Sequence, residues 1–131
     1  MTLPEDVRQA IKAKAAAEWP GDYRMQAHMI EEQGEAFFKM VAYSGMDLEN
    51  EITGNCFKKA TDEWPDDYVM QVHTFDSQMQ AAIAFFDYTN AIVPNEILEE
   101  IRLAAFAGWP GDYCMMLHTL EGQIEAWVSI Q

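Results

Sequence analysis

The residues of this sequence best suited to metal or acid–base chemistry are its three histidines, His28, His73 and His118, spaced forty-five residues apart. Acids accompany each of them: Glu31, Glu32 and Glu35 after the first, Asp76 after the second, Glu121 and Glu125 after the third. Imidazole with carboxylates is a ligand set for Zn²⁺ and related ions. Equivalent positions in an open stack of helices stand roughly 10 Å apart, however. Three imidazoles therefore share one ion only if the units close around a pseudo-threefold axis. In any other arrangement each His is expected to hydrogen-bond a neighbouring helix end or loop, with no metal and no cofactor.

The thiols offer less. Cys56 occupies a position that is Ile in the first and third copies of the repeat, which marks it as core. Cys114 has no counterpart in the other copies, and its place just inside a helix predicts an exposed thiol mildly acidified by the helix dipole. Catalysis needs unlike groups converging in a pocket. Here the polar residues recur symmetrically, and no nucleophile elbow, phosphate loop, His-Glu-x-x-His or Cys-x-x-Cys is present. No enzyme activity is expected.

The spacing of the histidines belongs to a larger repetition. "EWPGDYRMQAHMIEEQ" begins at Glu18, "EWPDDYVMQVHTFDSQ" at Glu63 and "GWPGDYCMMLHTLEGQ" at Gly108. Residues 3–45, 48–90 and 93–131 align without a gap, and nine positions are identical in all three copies. A period of this length is that of a two-helix repeat. The predicted fold is all-α: three tandem helical hairpins, six helices, packed as one compact domain over residues 1–131.

Each unit reads as helix A, a tight corner and helix B. Helix A runs from about Pro4 to Trp19 in the first copy, with Pro4 and Pro94 at first-turn positions where proline is tolerated. The Trp-Pro pair stops it, because the residue before a proline is pushed out of helical geometry. The constant Asp22, Asp67 and Asp112 then serve as N-cap or first-turn acid of helix B, which runs from about Asp22 to Tyr43. Trp19, Trp64 and Trp109 are expected to fill the corners, each packed on the constant Tyr23, Tyr68 or Tyr113 that follows. Gln33, Gln78 and Gln123 fall near the middle of the apolar face of helix B. A buried carboxamide needs partners, and the expected one is the backbone left bare where helix A breaks before its proline, within the same hairpin or a neighbour.

The balance of 22 acids against 8 bases gives a formal net charge of −14. Such a field repels nucleic acid and anionic membranes and attracts basic proteins. The N-terminus lacks the pattern of a signal peptide, and no run approaches the ~20 apolar residues of a membrane span. These features predict a cytoplasmic protein that binds neither nucleic acid nor membrane. The expected function is a protein–protein interaction module for a basic partner. Its acidic surface would be drawn from Glu31, Glu32, Glu35, Asp62, Glu63, Asp66, Asp67, Glu96, Glu99 and Glu100. The alternative is an acidic mimic of nucleic acid that inhibits a DNA- or RNA-binding protein.

The copies treat their outer faces unevenly. Unit one carries Arg8, Lys12, Lys14, Arg24 and Lys39, whereas unit three keeps only Arg102 and is rich in apolar residues. A terminal repeat normally needs a polar outer face. Either the third hairpin folds back into the middle of the bundle or a second copy covers it; the expected arrangement is the second, a homodimer closed by a twofold contact through Leu98, Phe106, Trp127 and Val128.

Overall fold

The computed structural model describes residues 2–131. It holds α1 (Glu5–Glu18), α2 (Tyr23–Ser44), α3 (Glu51–Glu63), α4 (Tyr68–Asp87), α5 (Asn95–Gly108) and α6 (Tyr113–Ser129), with no strand among the described residues. The boundaries follow local chemistry. Pro4 and Pro94 stand one residue outside α1 and α5, with the extended ψ of 143° and 142° that lets the chain turn into a helix. Asn50 caps α3 by accepting from the N–H groups of Ile52 and Thr53 at 3.0 and 3.2 Å. Asp22, Asp67 and Asp112 are the N-caps of α2, α4 and α6, each accepting from the N–H of Met25, Met70 or Met115 at 3.0–3.1 Å.

Trp19, Trp64 and Trp109 leave the helical region as C-caps of α1, α3 and α5, as the following prolines require. Gly21 and Gly111 close two of the corners at φ of +77° and +74°, a conformation cheap only for glycine. Asp66 takes the same place in the second corner without a positive φ. The carbonyls exposed by the broken helices are covered from helix B: Gln26 Nε2 donates to Trp19 O at 2.8 Å and Gln71 Nε2 to Trp64 O at 2.6 Å.

α1 packs on α2, α3 on α4 and α5 on α6, while α4 also packs on both α2 and α6. This central place explains why α4 buries the most residues of any helix: Gln71, Phe75, Gln78, Ala81, Ala82 and Phe85. Around them the core gathers Cys56, Ala60, Leu98, Tyr113, Leu120 and Ile124 from the neighbouring helices. Arg102 of α5 closes the C-terminal end of α4, its guanidinium donating to the carbonyls of Phe85, Phe86 and Tyr88.

The expected aromatic corners are not what forms. Trp19, Trp64 and Trp109 are all exposed, and the tyrosines pack elsewhere. The Tyr68 ring meets Phe37 of α2 edge-on at 5.2 Å. Tyr113 is 2% exposed, lies 6.3 Å from Phe86 of α4, and its hydroxyl accepts from Asn55 Nδ2 of α3 at 3.1 Å. Tyr23, with α1 but no earlier helix pair ahead of it among the described residues, is 77% exposed. The constant tyrosine is thus a contact to the preceding pair of helices, and its burial depends on whether such a pair exists.

Candidate interaction surfaces

The glutamines form the most specific polar arrangement in the molecule, and their partners differ from those expected. Gln33 of α2 donates from Nε2 to Asp67 Oδ1 at 2.9 Å and accepts the N–H of Tyr68 on Oε1 at 2.8 Å. Gln78 of α4 donates to Asp112 Oδ1 at 3.1 Å and accepts the N–H groups of Tyr113 at 2.7 Å and Cys114 at 3.4 Å. Each carboxamide therefore addresses the N-terminus of the next B helix, not the broken end of helix A. It bonds the cap carboxylate and also satisfies a first-turn N–H that the helix leaves orphaned. Both are buried. Gln123, at the corresponding place on α6, is exposed.

Lysines brace both joints. Lys14 Nζ reaches Asp66 O at 3.2 Å and Asp67 at 3.9 Å, and Lys59 Nζ reaches Glu63 at 3.0 Å and Asp112 at 3.5 Å. Burial alone would raise the pKa of Asp112. The bonds from Gln78 and the Met115 N–H, with the Lys59 ammonium beside them, hold it below the ordinary aspartate value instead. A carboxylate depressed on folding adds stability that is complete above its unfolded pKa of ~3.9 and lost as pH falls through its native value. Unfolding free energy measured in urea should accordingly decline on acidification below the usual aspartate range. The decline should be smaller in Asp112→Asn, which can still cap α6 but cannot titrate there.

The histidines lie apart from these joints. His28, His73 and His118 are exposed on α2, α4 and α6, with His28 Nε2 3.2 Å from Glu32. Among the described residues no group of three His, Cys, Asp or Glu side chains is placed to hold a metal ion. Cys56 is fully buried, and burial, with Cys114 nearby, pushes its thiol up to about 11. Cys114 is half-buried rather than exposed, its Sγ 3.6 Å from Ser77 O, and burial raises its pKa instead of the dipole lowering it. Neither thiol has the thiolate character of a nucleophile.

Of the acids, Glu31, Glu32 and Glu35 are exposed on α2, Asp62 and Glu63 at the end of α3, Asp66 in the corner after it, and Glu96, Glu99 and Glu100 on α5. Asp62 is bonded to Lys58 and Glu99 to Arg102. Asp67 belongs to the joint just described and is half-buried. The residues expected at a dimer contact are dispersed. Leu98 is 3% exposed in the core of the chain itself. Phe106 lies 6.3 Å from Phe86 and lines a hollow with Asn55 and Tyr113. Trp127 lines a separate groove of about 480 Å³ between α5 and α6, walled by Ile97, Ile101, Ala126 and Ile130, with Gln123 on its rim. Val128, one residue on, is exposed.

Comparison with family models, characterised proteins and solved structures returns no match. The functional reading therefore rests on these surfaces. The glutamine–cap joint, the tyrosine contact to the preceding helices and the Arg102 cap all lie outside what the sequence alone suggested. The identity of Gln, Asp and Tyr in register was the available signal for the first two. Among the described residues no helix is long and apolar enough to cross a membrane.

Proposed function

We propose that the chain is a non-catalytic interaction module, a tandem of three helical hairpins that offers acidic faces to a basic protein in the cytoplasm. The observation that favours this reading is how the charges are used. Lys14, Lys59 and Arg102 are turned inward to brace caps and helix ends, while Glu31, Glu32, Glu35, Glu96 and Glu100 remain on the surface. The field outside the protein is therefore dominated by carboxylates, which steer and hold a cationic partner. The recurrent polar residues support the same class, since Gln33, Gln78, Asp67 and Asp112 are occupied in holding helices together rather than converging on a reacting atom.

Affinity capture from the source cells should recover basic proteins at low salt and release them as ionic strength rises. A variant carrying Glu31→Gln, Glu32→Gln and Glu35→Gln, or Glu96→Gln and Glu100→Gln, should retain fewer of them. Identical capture by wild type and both variants, unaffected by salt, would refute an electrostatic partner. Competition for the captured protein by DNA or RNA would identify the carboxylates as a mimic of nucleic acid.

A further inference from the structure

The two ends of the molecule are complementary in a way that its interior already demonstrates. Inside the chain, α2 meets the start of α4, and α4 meets the start of α6, through the same set of groups. A Gln bonds the cap Asp and the Tyr N–H, and an aromatic ring from the helix pair ahead packs on the Tyr. In the first joint that ring is Phe37, four residues after Gln33. At the free end of α6, Gln123 is exposed, Trp127 follows it by the same four residues, and both line the groove between α5 and α6. Glu100 stands on the same groove at the place of Asn55, whose side chain binds the Tyr113 hydroxyl. The acceptor half of a joint is therefore assembled, with nothing in it among the described residues.

The other half is at the opposite end. Asp22 caps α2 by accepting from the Met25 N–H, and among the described residues no carboxamide reaches it as Gln33 and Gln78 reach Asp67 and Asp112. The Tyr23 ring stands in solvent, and among the described residues its N–H has no acceptor.

We infer that the α5–α6 end of one molecule binds the α1–α2 corner of a second copy, head to tail. Gln123 Nε2 donates to the Asp22 carboxylate and Gln123 Oε1 accepts the Tyr23 N–H. The Tyr23 ring packs on Trp127 and its hydroxyl donates to Glu100. Unit one sets Arg8, Lys12, Lys14, Arg24 and Lys39 against seven acids, and unit three sets Arg102 against six, so both ends are net acidic and the charge that favours the pairing is local. Arg24 occupies the place of Cys114, whose Sγ touches Ser77 O. The residue at the place of Ser77 in the last unit is Gly122, next to Glu121. One brace is missing: Ala104 stands where Lys14 and Lys59 approach the cap carboxylate, so this joint is weaker than the internal two. Because the two surfaces differ, the contact is heterologous, and it extends into chains or closes into rings rather than stopping at a twofold pair. The inference rests on the tandem-hairpin reading and is independent of the acidic partner.

Sedimentation velocity over a range of micromolar concentrations provides the test, with Tyr23→Ala and Gln123→Glu, both at exposed sites, as the variants. Wild type should form oligomers that grow with concentration. Each variant alone should associate about tenfold more weakly or worse, the second because a carboxylate then faces Asp22. An equimolar mixture should recover dimers and nothing larger, because one intact acceptor end then meets one intact donor end. A wild type that stays monomeric would overturn the inference. So would a Tyr23→Ala protein that dimerises like wild type while Gln123→Glu does not, which would establish the twofold contact through the last unit. Far-ultraviolet circular dichroism on both variants shows that they fold, and helix lost in either moves the test to Tyr23→Ser or Gln123→Ala.

Discussion

Phe85→Ala should lower the unfolding free energy by ~3–5 kcal/mol, the largest loss expected from any single truncation in this chain. Phe85 is 0% exposed on α4, which packs on α2, α3 and α6, and its ring lies 5.1 Å from that of Phe86, enclosed by the main core. Truncation removes the transfer energy of the ring and leaves a cavity that helices held on several sides cannot easily close. Against a total stability of typically ~5–15 kcal/mol, such a loss should be plain in urea denaturation. Trp64→Ala is the instructive contrast. Trp64 is identical in all three copies, yet it is 37% exposed at a corner. Its truncation should fall well short of the ~3–5 kcal/mol of a buried Trp. A Trp64 loss equal to or greater than that of Phe85 would mean that the corners, not α4, organise the core.

That contrast shows which parts of the fold were legible in the residues. Helix ends were, because they are decided by neighbours in the chain. Trp-Pro stops α1, α3 and α5, and the Asp two residues after the proline caps α2, α4 and α6. The helical period also marked Gln33 and Gln78 as buried. A helical wheel identifies the inward face but not the element that meets it, so the sequence points the glutamines to the end of a helix A and the tyrosines to their own corner, whereas both meet a neighbouring helix. Tyr23, Tyr68 and Tyr113 sit in identical local sequence, yet their burial runs from solvent-exposed to enclosed as the helices ahead of them are added. Only the packing order holds that information.

Cys114 failed for a related reason. The dipole of α6 is local and readable, but burial, which raises the thiol's pKa, depends on the helices packed around it, among them α4, whose Ser77 O lies 3.6 Å from Sγ. In the last unit, the sequence marks Leu98 as part of an outer apolar face, yet it is core of the same chain. What remains outside is the groove with Trp127 and Gln123 on it.

The constant glutamines give the second large effect. Gln78→Ala removes the partner of the Tyr113 N–H in a buried place, together with one bond to a carboxylate whose low pKa depends on it. Leaving such groups unpaired costs ~1–3 kcal/mol, with the upper end expected here because an ionised acceptor is involved. Gln33→Ala should follow with a loss in the same range, since the same two bonds are made to Asp67 and Tyr68.

The central claim is that this Gln is constant because it joins one helix pair to the next, and comparing the three copies tests it most directly. Urea unfolding of Gln33→Ala, Gln78→Ala and Gln123→Ala should be followed at a concentration too low for self-association. Losses of ~1–3 kcal/mol are expected for the first two and a change within ~0.5 kcal/mol for Gln123→Ala, whose side chain has no joint to hold among the described residues. Equal losses at all three positions would contradict it, because the glutamine would then be serving its own hairpin.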